Sequence, residues 1–348
     1  MPEESKTQPI LNTGEPEWFP PIEDDIQSPV SHRPSSDTNL VFYGADGLRA
    51  CSAIALYFLV KATLDVLPRP PSAEAMALPT FLNEFAYFFV LVVAAYVISR
   101  IEKRPFARYG LGSILGSSAR STAPRLGQFF AGILWGLALL SLLVGILWKT
   151  GLLVFTARLL GGAAMLQWGL VWFACFLGVG FFEEYFARGF LQFMLARGIA
   201  GITRALNLSP RAASVTGFWA AALFFSVLFG LAHKSNLGES PIGLFAAGLI
   251  GFVFAFSLWR TGSLWWAIGY HAAWDWAESF LYGVGDSGHF TAHRLYQTHP
   301  VGAPMMSGGL TGPEGSIYVL LVIALTALVV ALTLRSQAGS PSDPLYRP

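Results

Sequence analysis

Apolar residues run along this chain in blocks rather than in stripes. After Asp46 they fill eight segments, near residues 49–67, 82–99, 128–148, 165–197, 213–232, 241–259, 263–282 and 316–334. A helix of about 20 apolar residues, rising about 1.5 Å per residue, crosses a hydrocarbon core of about 30 Å. The blocks therefore predict an all-α fold, a polytopic transmembrane helical bundle of about eight spans. No alternation of period two is long enough to suggest a transmembrane barrel, and no tandem repeat is visible. Two blocks strain this pattern. The first contains Lys61 and Asp65, four residues apart, which can pair along one helix face or snorkel. The fourth is too long for one crossing, so it must tilt, project, or begin after its apolar start.

Polar residues divide the rest. Residues 1–45 form an acidic, proline- and serine-containing tail that reads as disordered, and without a basic start and an apolar stretch it is not a signal peptide. Residues 46–162 hold the N-terminal transmembrane helices and a basic cytoplasmic loop, and residues 163–282 the transmembrane core. Residues 283–315 make an external loop, and residues 316–348 the last helix and a tail. Arg100, Lys103, Arg104, Arg108, Arg120 and Arg125 stand against Glu102 alone between the second and third blocks, and Arg204 and Arg211 stand unopposed between the fourth and fifth. Positive residues favour the cytoplasmic side, which puts both termini there and the 283–315 loop outside, as in a multi-pass protein of the bacterial plasma (inner) membrane.

Composition agrees with the blocks. Hydrophobic residues make up 54% of the 348 and charged residues 12%, against roughly 25% charged in soluble domains. A water-soluble globule is excluded, and the lipid bilayer is the first partner implied. A net charge of +1 gives no reason to expect nucleic acid. Cys51 and Cys175, far apart in apolar runs, read as small hydrophobes rather than a disulfide.

Scarce charge makes the exceptions informative. In the blocks after residue 165 the ionisable side chains are Glu183, Glu184, Arg188, His233, His271, Asp275 and Glu278. At membrane depth such a group costs on the order of 3 kcal/mol, so it faces a bundle interior or a wet cavity and has a task there. Glu184 and Arg188, four apart, share a helix face. Glu183 lies about 140° round the helix from Arg188, lacks a local counter-ion, and is suited to take a proton from water. His271 and Asp275 are also four apart, with Glu278 a turn further on, the spacing at which a carboxylate fixes an imidazole's tautomer or two ligands meet one metal. His289, His293 and His299 fall in a glycine-rich polar loop and read as solvated. Among protease signatures, His-Glu-x-x-His and Gly-x-Ser-Gly are absent. Gly283-Val284-Gly285-Asp286 matches the Gly-x-Gly-Asp of presenilin-like aspartyl proteases, but no Tyr-Asp pair lies in another span to share its proton.

Three elements stand in order: Glu183-Glu184-x-x-x-Arg188, Phe229-x-x-x-His233 and His271-x-x-x-Asp275. Their order, and their placement on three separate apolar helices, resembles the CPBP (ABI) family of intramembrane proteases, to which the type II CAAX prenyl endopeptidases belong. The resemblance covers roughly residues 165–282. It implies that Glu183, with His233, activates water for attack on a peptide carbonyl, that Glu184 and Arg188 hold their helix in place, and that His271 and residue 275 steady the oxyanion. Asp275 replaces the asparagine of the similar enzymes, so it must be protonated or orient His271. Members are described both as metal-dependent and as glutamate–histidine enzymes. Glu183, His233 and His271 would suit zinc in kind, although no spacing proves a site. The implied partner is a peptide or protein substrate at the membrane.

Two other classes remain: a non-catalytic immunity or partner-binding protein on the same fold, and a proton-coupled transporter using Glu183, Glu184 and Asp275. An unpaired Glu183 argues against the first, and the lack of visible paired halves against the second. Counted along the helices, Glu183 lies about 21 Å from Arg197 and His271 about 17 Å from Arg260, but His233 about 29 Å from Ser214. The fifth span must tilt or kink to bring His233 level with the others.

Overall fold

The computed structural model describes residues 43–44, 47–48, 50–66, 77–102, 105–116, 123–236 and 238–334, with side chains from residue 51 in the first helix and residue 83 in the second. All but two residues of the acidic 1–45 tail, the end of the C-terminal tail and part of the basic loop lie outside the described residues. The helices are α1 (Ala50–Val66), α2 (Ala77–Ile101), α3 (Arg125–Lys149), α4 (Gly162–Glu184), α5 (Leu191–Ala205), α6 (Pro210–Ala232), α7 (Pro241–Thr261), α8 (Trp265–Trp276), the short α9 (Pro304–Ser307) and α10 (Val319–Thr333).

Every apolar block is helical, and the chain is a multi-pass membrane protein. Among the described residues, the helices do not by themselves confirm about eight crossings. Five helical segments are long and apolar enough to cross: Asn83–Ile101, Arg125–Lys149, Gly162–Ala205, Pro210–Ser235 and Pro241–Thr261. The other three, α1, α8 and α10, hold 17, 12 and 15 residues. In α1, Lys61 and Asp65 pair at 2.6 Å on the exposed face and shorten its apolar length. The α8 helix ends when its backbone widens into a π turn, Ala277–Tyr282.

The overlong fourth block is a 44-residue helical segment, about 66 Å long at 1.5 Å per residue. It is interrupted by a π turn at Tyr185–Phe190, directly after Glu183 and Glu184. Near its beginning Leu166 and Leu170 are exposed, while every residue from Leu191 to Gly198 is buried. Local chemistry sets the starts of α6 and α7. Ser209 Oγ accepts from Ala212 N–H at 3.3 Å and Ser240 Oγ from Gly243 N–H at 2.9 Å, each followed by proline at the first helical position. Gly262, at φ 64°, closes α7 in the left-handed conformation.

The short α8 is the most enclosed helix, and glycine lets its neighbours approach. A Cβ on Gly136 of α3 would lie 2.3 Å from the Tyr270 carbonyl oxygen, and one on Gly132 would lie 2.1 Å from that of Trp266. Reciprocally, a Cβ on Gly269 would lie 2.2 Å from the Phe129 carbonyl oxygen. In lipid, where expelling water drives little helix association, such backbone approach supplies the packing. Tyr270 Oη also hydrogen-bonds Thr326 Oγ1 of α10 at 2.9 Å.

The helical expectation holds apart from two small antiparallel pairs, β1 (Tyr43–Gly44) with β2 (Gly47–Leu48) and β3 (Leu153–Arg158) with β4 (Tyr296–Pro300). The second pair has consequences for the loop between α8 and α10. Val154 pairs with His299 and Arg158 with Tyr296, with a bulge between Phe155 and Ala157, and this ties the 283–315 loop to the end of α3. His289, His293 and His299 are exposed as expected, although His293 stacks on Trp168 at 3.8 Å.

Replacing Gly136 by Leu is expected to force α8 from α3. The change should cost about 1–3 kcal/mol or more, read as a lower midpoint of thermal unfolding in detergent, whereas Gly145→Leu, where a Cβ meets nothing within 4 Å, should leave the midpoint unchanged.

Candidate active site

Glu183, His233, His271 and Asp275 line one cavity of about 390 Å³ between α4, α6, α7 and α8. The loop residues Asp286, Ser287, His289 and Glu314 line it too, so the cavity lies against the 283–315 loop. His233 reaches it without a break in its helix: α6 runs uninterrupted to Ala232, and His233 stands at its C-cap.

The arrangement is organised beneath the cavity by Glu184. This carboxylate is buried, and its Oε1 accepts from Arg188 Nη1 and from His271 Nδ1, each at 2.9 Å. The expected Glu184–Arg188 pair is present. The expected orientation of His271 by Asp275 is not the main one, because the Nδ1 proton goes to Glu184. A carboxylate acceptor at Nδ1 leaves Nε2 to face the cavity, where it lies 3.7 Å from Glu183 Oε2 and 3.5 Å from Asp275 Oδ2. Standing among three carboxylates, His271 is in a setting that complements an imidazolium. Glu183 is 28% exposed at its side chain, against 0% for Glu184, so only the first of the adjacent acids meets the cavity.

Phe229 explains its own place in the pattern. Its carbonyl oxygen accepts from His233 Nδ1 at 2.8 Å, so Nδ1 carries the proton and Nε2 keeps a lone pair. Its ring lies 4.0 Å below the Arg188 guanidinium, which Phe254 flanks at 5.8 Å. Gly251 of α7 gives the guanidinium room, since a Cβ there would lie 2.1 Å from Arg188 Nη2.

Three acids of the cavity wall escaped the sequence reasoning. Glu84 of α2 lines the cavity, and its signal was available: an acid without a nearby base inside the second apolar block. Asp286, in the Gly-x-Gly-Asp stretch, and Glu314 lie in the loop, where polar residues read as solvated. They are held inward instead. Asp286 Oδ2 accepts from Ser279 Oγ at 2.9 Å, while Glu314 accepts from Trp274 Nε1 at 2.8 Å and from Ser287 Oγ at 2.9 Å. Burial first, and then the Glu314 charge, push the Asp286 carboxyl up to about 7. Glu278 does not continue the His271–Asp275 line. Its carboxylate instead lies with those of Asp286 and Glu314, with one oxygen of each within 4.8 Å of the others.

Zinc at Glu183, His233 and His271 can be tested on this geometry. Among the described residues, the one group of three or more potential ligand atoms all within 4.8 Å of each other is Glu278, Asp286 and Glu314. The expected trio is not so gathered, and as placed it does not fit a zinc ion, whose ligands sit about 2.0–2.3 Å from the metal.

Residues 166–277 match the family model described as type II CAAX prenyl endopeptidase Rce1-like. The matched segment holds all three motif elements and most of the cavity wall. No curated protein and no solved structure matches the chain.

Removing the Glu184 carboxylate leaves a buried arginine without its partner. Glu184→Ala is expected to cost about 3–5 kcal/mol, measured as loss of thermal stability in detergent, and the double change Glu184→Ala with Arg188→Met should recover part of that loss.

Proposed function

With a type II CAAX prenyl endopeptidase Rce1-like domain across residues 166–277, we propose that this chain is an integral-membrane endopeptidase that hydrolyses a peptide bond with water activated by Glu183 and His233. The observation that carries the reading is the convergence of Glu183, His233 and His271 on one cavity from three helices, with a buried carboxylate fixing His271 from behind. Glu183 and the free Nε2 of His233 accept from a water molecule. As the water oxygen bonds to the carbonyl carbon, Glu183 takes its proton, and the carbonyl oxygen becomes an oxyanion beside His271. Collapse breaks the C–N bond, and the proton on Glu183 passes to the departing amine. Glu184 is a positioning residue that acts through His271. Asp275, 3.5 Å from His271 Nε2, holds the cavity side of the imidazole. No metal is required by this scheme, since Glu183 and His233 activate the water directly.

The cavity's place against the 283–315 loop bears on the substrate. With about eight crossings the arginine distribution would put that loop on the non-cytoplasmic face, and the scissile bond would then lie in a peptide or protein presented near that membrane surface. A purely non-catalytic role on this fold gives no use to Glu183, a carboxylate that meets the cavity and sits 3.7 Å from an imidazole.

The test uses purified protein in detergent with a peptide library that includes prenylated and unmodified members. Glu183→Gln and His233→Ala are expected to lower kcat about 10²–10⁴-fold while leaving thermal stability near that of the wild type. Equal cleavage by all three proteins, or none by any, sinks the proposal. Phenanthroline, which removes zinc-type metals, should leave cleavage intact.

Asp275 supplies a separate expectation. Asp275→Asn, which restores the amide of the similar enzymes, should keep kcat within about tenfold, whereas Asp275→Ala should fall further through loss of His271 positioning. The ratio of the two rates in one assay decides it.

A further inference from the structure

Glu278, Asp286 and Glu314 come from three places: the π turn after α8, the start of the 283–315 loop, and the turn Pro313–Gly315 that precedes α10. One carboxylate oxygen of each lies within 4.8 Å of the other two. A cation with oxygen ligands at about 2.3–2.6 Å, the calcium range, spans ligand atoms up to about 5 Å apart. Glu278 adds an independent sign of a missing partner, since it is fully buried and neither carboxylate oxygen makes a hydrogen bond, the neighbouring Trp274 Nε1 giving its own to Glu314. The other two carboxylates are aimed by donors behind them. Trp274 Nε1 and Ser287 Oγ hold Glu314, and Ser279 Oγ holds Asp286, as outer hydrogen bonds orient metal ligands. No lysine or arginine pairs with the three carboxylates among the described residues.

We propose that Glu278, Asp286 and Glu314 bind a hard divalent cation, calcium by preference, which clamps the 283–315 loop to the end of α8. An all-oxygen donor set selects calcium, magnesium or manganese over zinc. The site shares its cavity with the proposed hydrolytic residues but uses none of them as a ligand. The ion would join segments that the chain otherwise connects through 28 and 36 residues, Asp286 to Glu314 and Glu278 to Glu314. It would also stiffen the cavity wall to which Asp286 and Glu314 contribute.

The experiment is done on the full chain in detergent, stripped with EGTA and then titrated with calcium, magnesium, zinc or terbium alone. Terbium should luminesce on tryptophan excitation, since Trp274 donates to a ligand residue, with one ion per chain and displacement by calcium. Calcium should raise the thermal midpoint by several degrees. Glu278→Gln should abolish both responses while raising the midpoint in EGTA, because it removes a buried carboxylate that has no hydrogen-bond partner. A merely structural carboxylate would give the opposite sign in EGTA. Glu314→Gln serves as a second variant with the same expected loss of ion response. No ion-dependent luminescence or midpoint shift at millimolar calcium, magnesium or manganese would overturn the proposal, as would terbium binding that survives both variants or zinc binding tighter than calcium. Glu183→Gln should retain the full ion response, so failure of the hydrolytic reading and failure of this one are distinguishable.

Discussion

A single buried oxygen, Oε1 of Glu184, holds the centre of this molecule together. It accepts from Arg188 on its own helix and from His271 on α8, so one carboxylate compensates a buried guanidinium and orients an imidazole. An unpaired charge in such a place would cost several kcal/mol. Arg188 in turn organises aromatic packing: Phe229 of α6 and Phe254 of α7 face its guanidinium, and Gly251 leaves the space it occupies. Four helices meet around this ion pair, and the cavity is the space left on its other side. Glu183 therefore projects from a helix end that cannot easily rotate.

Packing around α8 extends that constraint. The glycines of α3 bring backbone against the carbonyl oxygens of Trp266 and Tyr270, five residues and one residue before His271. Helices that approach this closely have no soft layer of side chains between them, so a displacement of α3 is a displacement of His271. A reacting centre carried on rigid helices and locked by buried hydrogen bonds keeps its geometry better than one carried on loops.

The parts of this arrangement legible in the chain are those written locally. The apolar blocks marked the helices, and the spacing of Glu184 with Arg188 marked a pair that forms. The spacing of His271 with Asp275 was less complete a guide, since the stronger partner of His271 is 87 residues away in sequence. No local pattern encodes a contact that depends on how α4 and α8 pack. Burial of Asp286 and Glu314 was hidden for the same reason. Their loop has the composition of a solvated segment, and it is drawn in by strand pairing with residues before α4. Glu84 was legible in principle, as a charge in an apolar block, by the same rule that singled out Glu183.

The two π turns show how one helix can serve two surfaces. Each follows a functional segment directly, Tyr185–Phe190 after Glu183 and Glu184, and Ala277–Tyr282 after His271 and Asp275. A widened turn holds about one more residue than an α turn, which rotates all that follows by about 100°. Upstream of the first, α4 turns its last acids toward the cavity and toward α8; downstream, α5 is buried on every side from Leu191 to Gly198. Upstream of the second, α8 presents His271 and Asp275; within it, the Glu278 carboxylate lies with those of Asp286 and Glu314. The backbone thus passes from the carboxylates of the reacting centre to a second group of carboxylates without ending the helix.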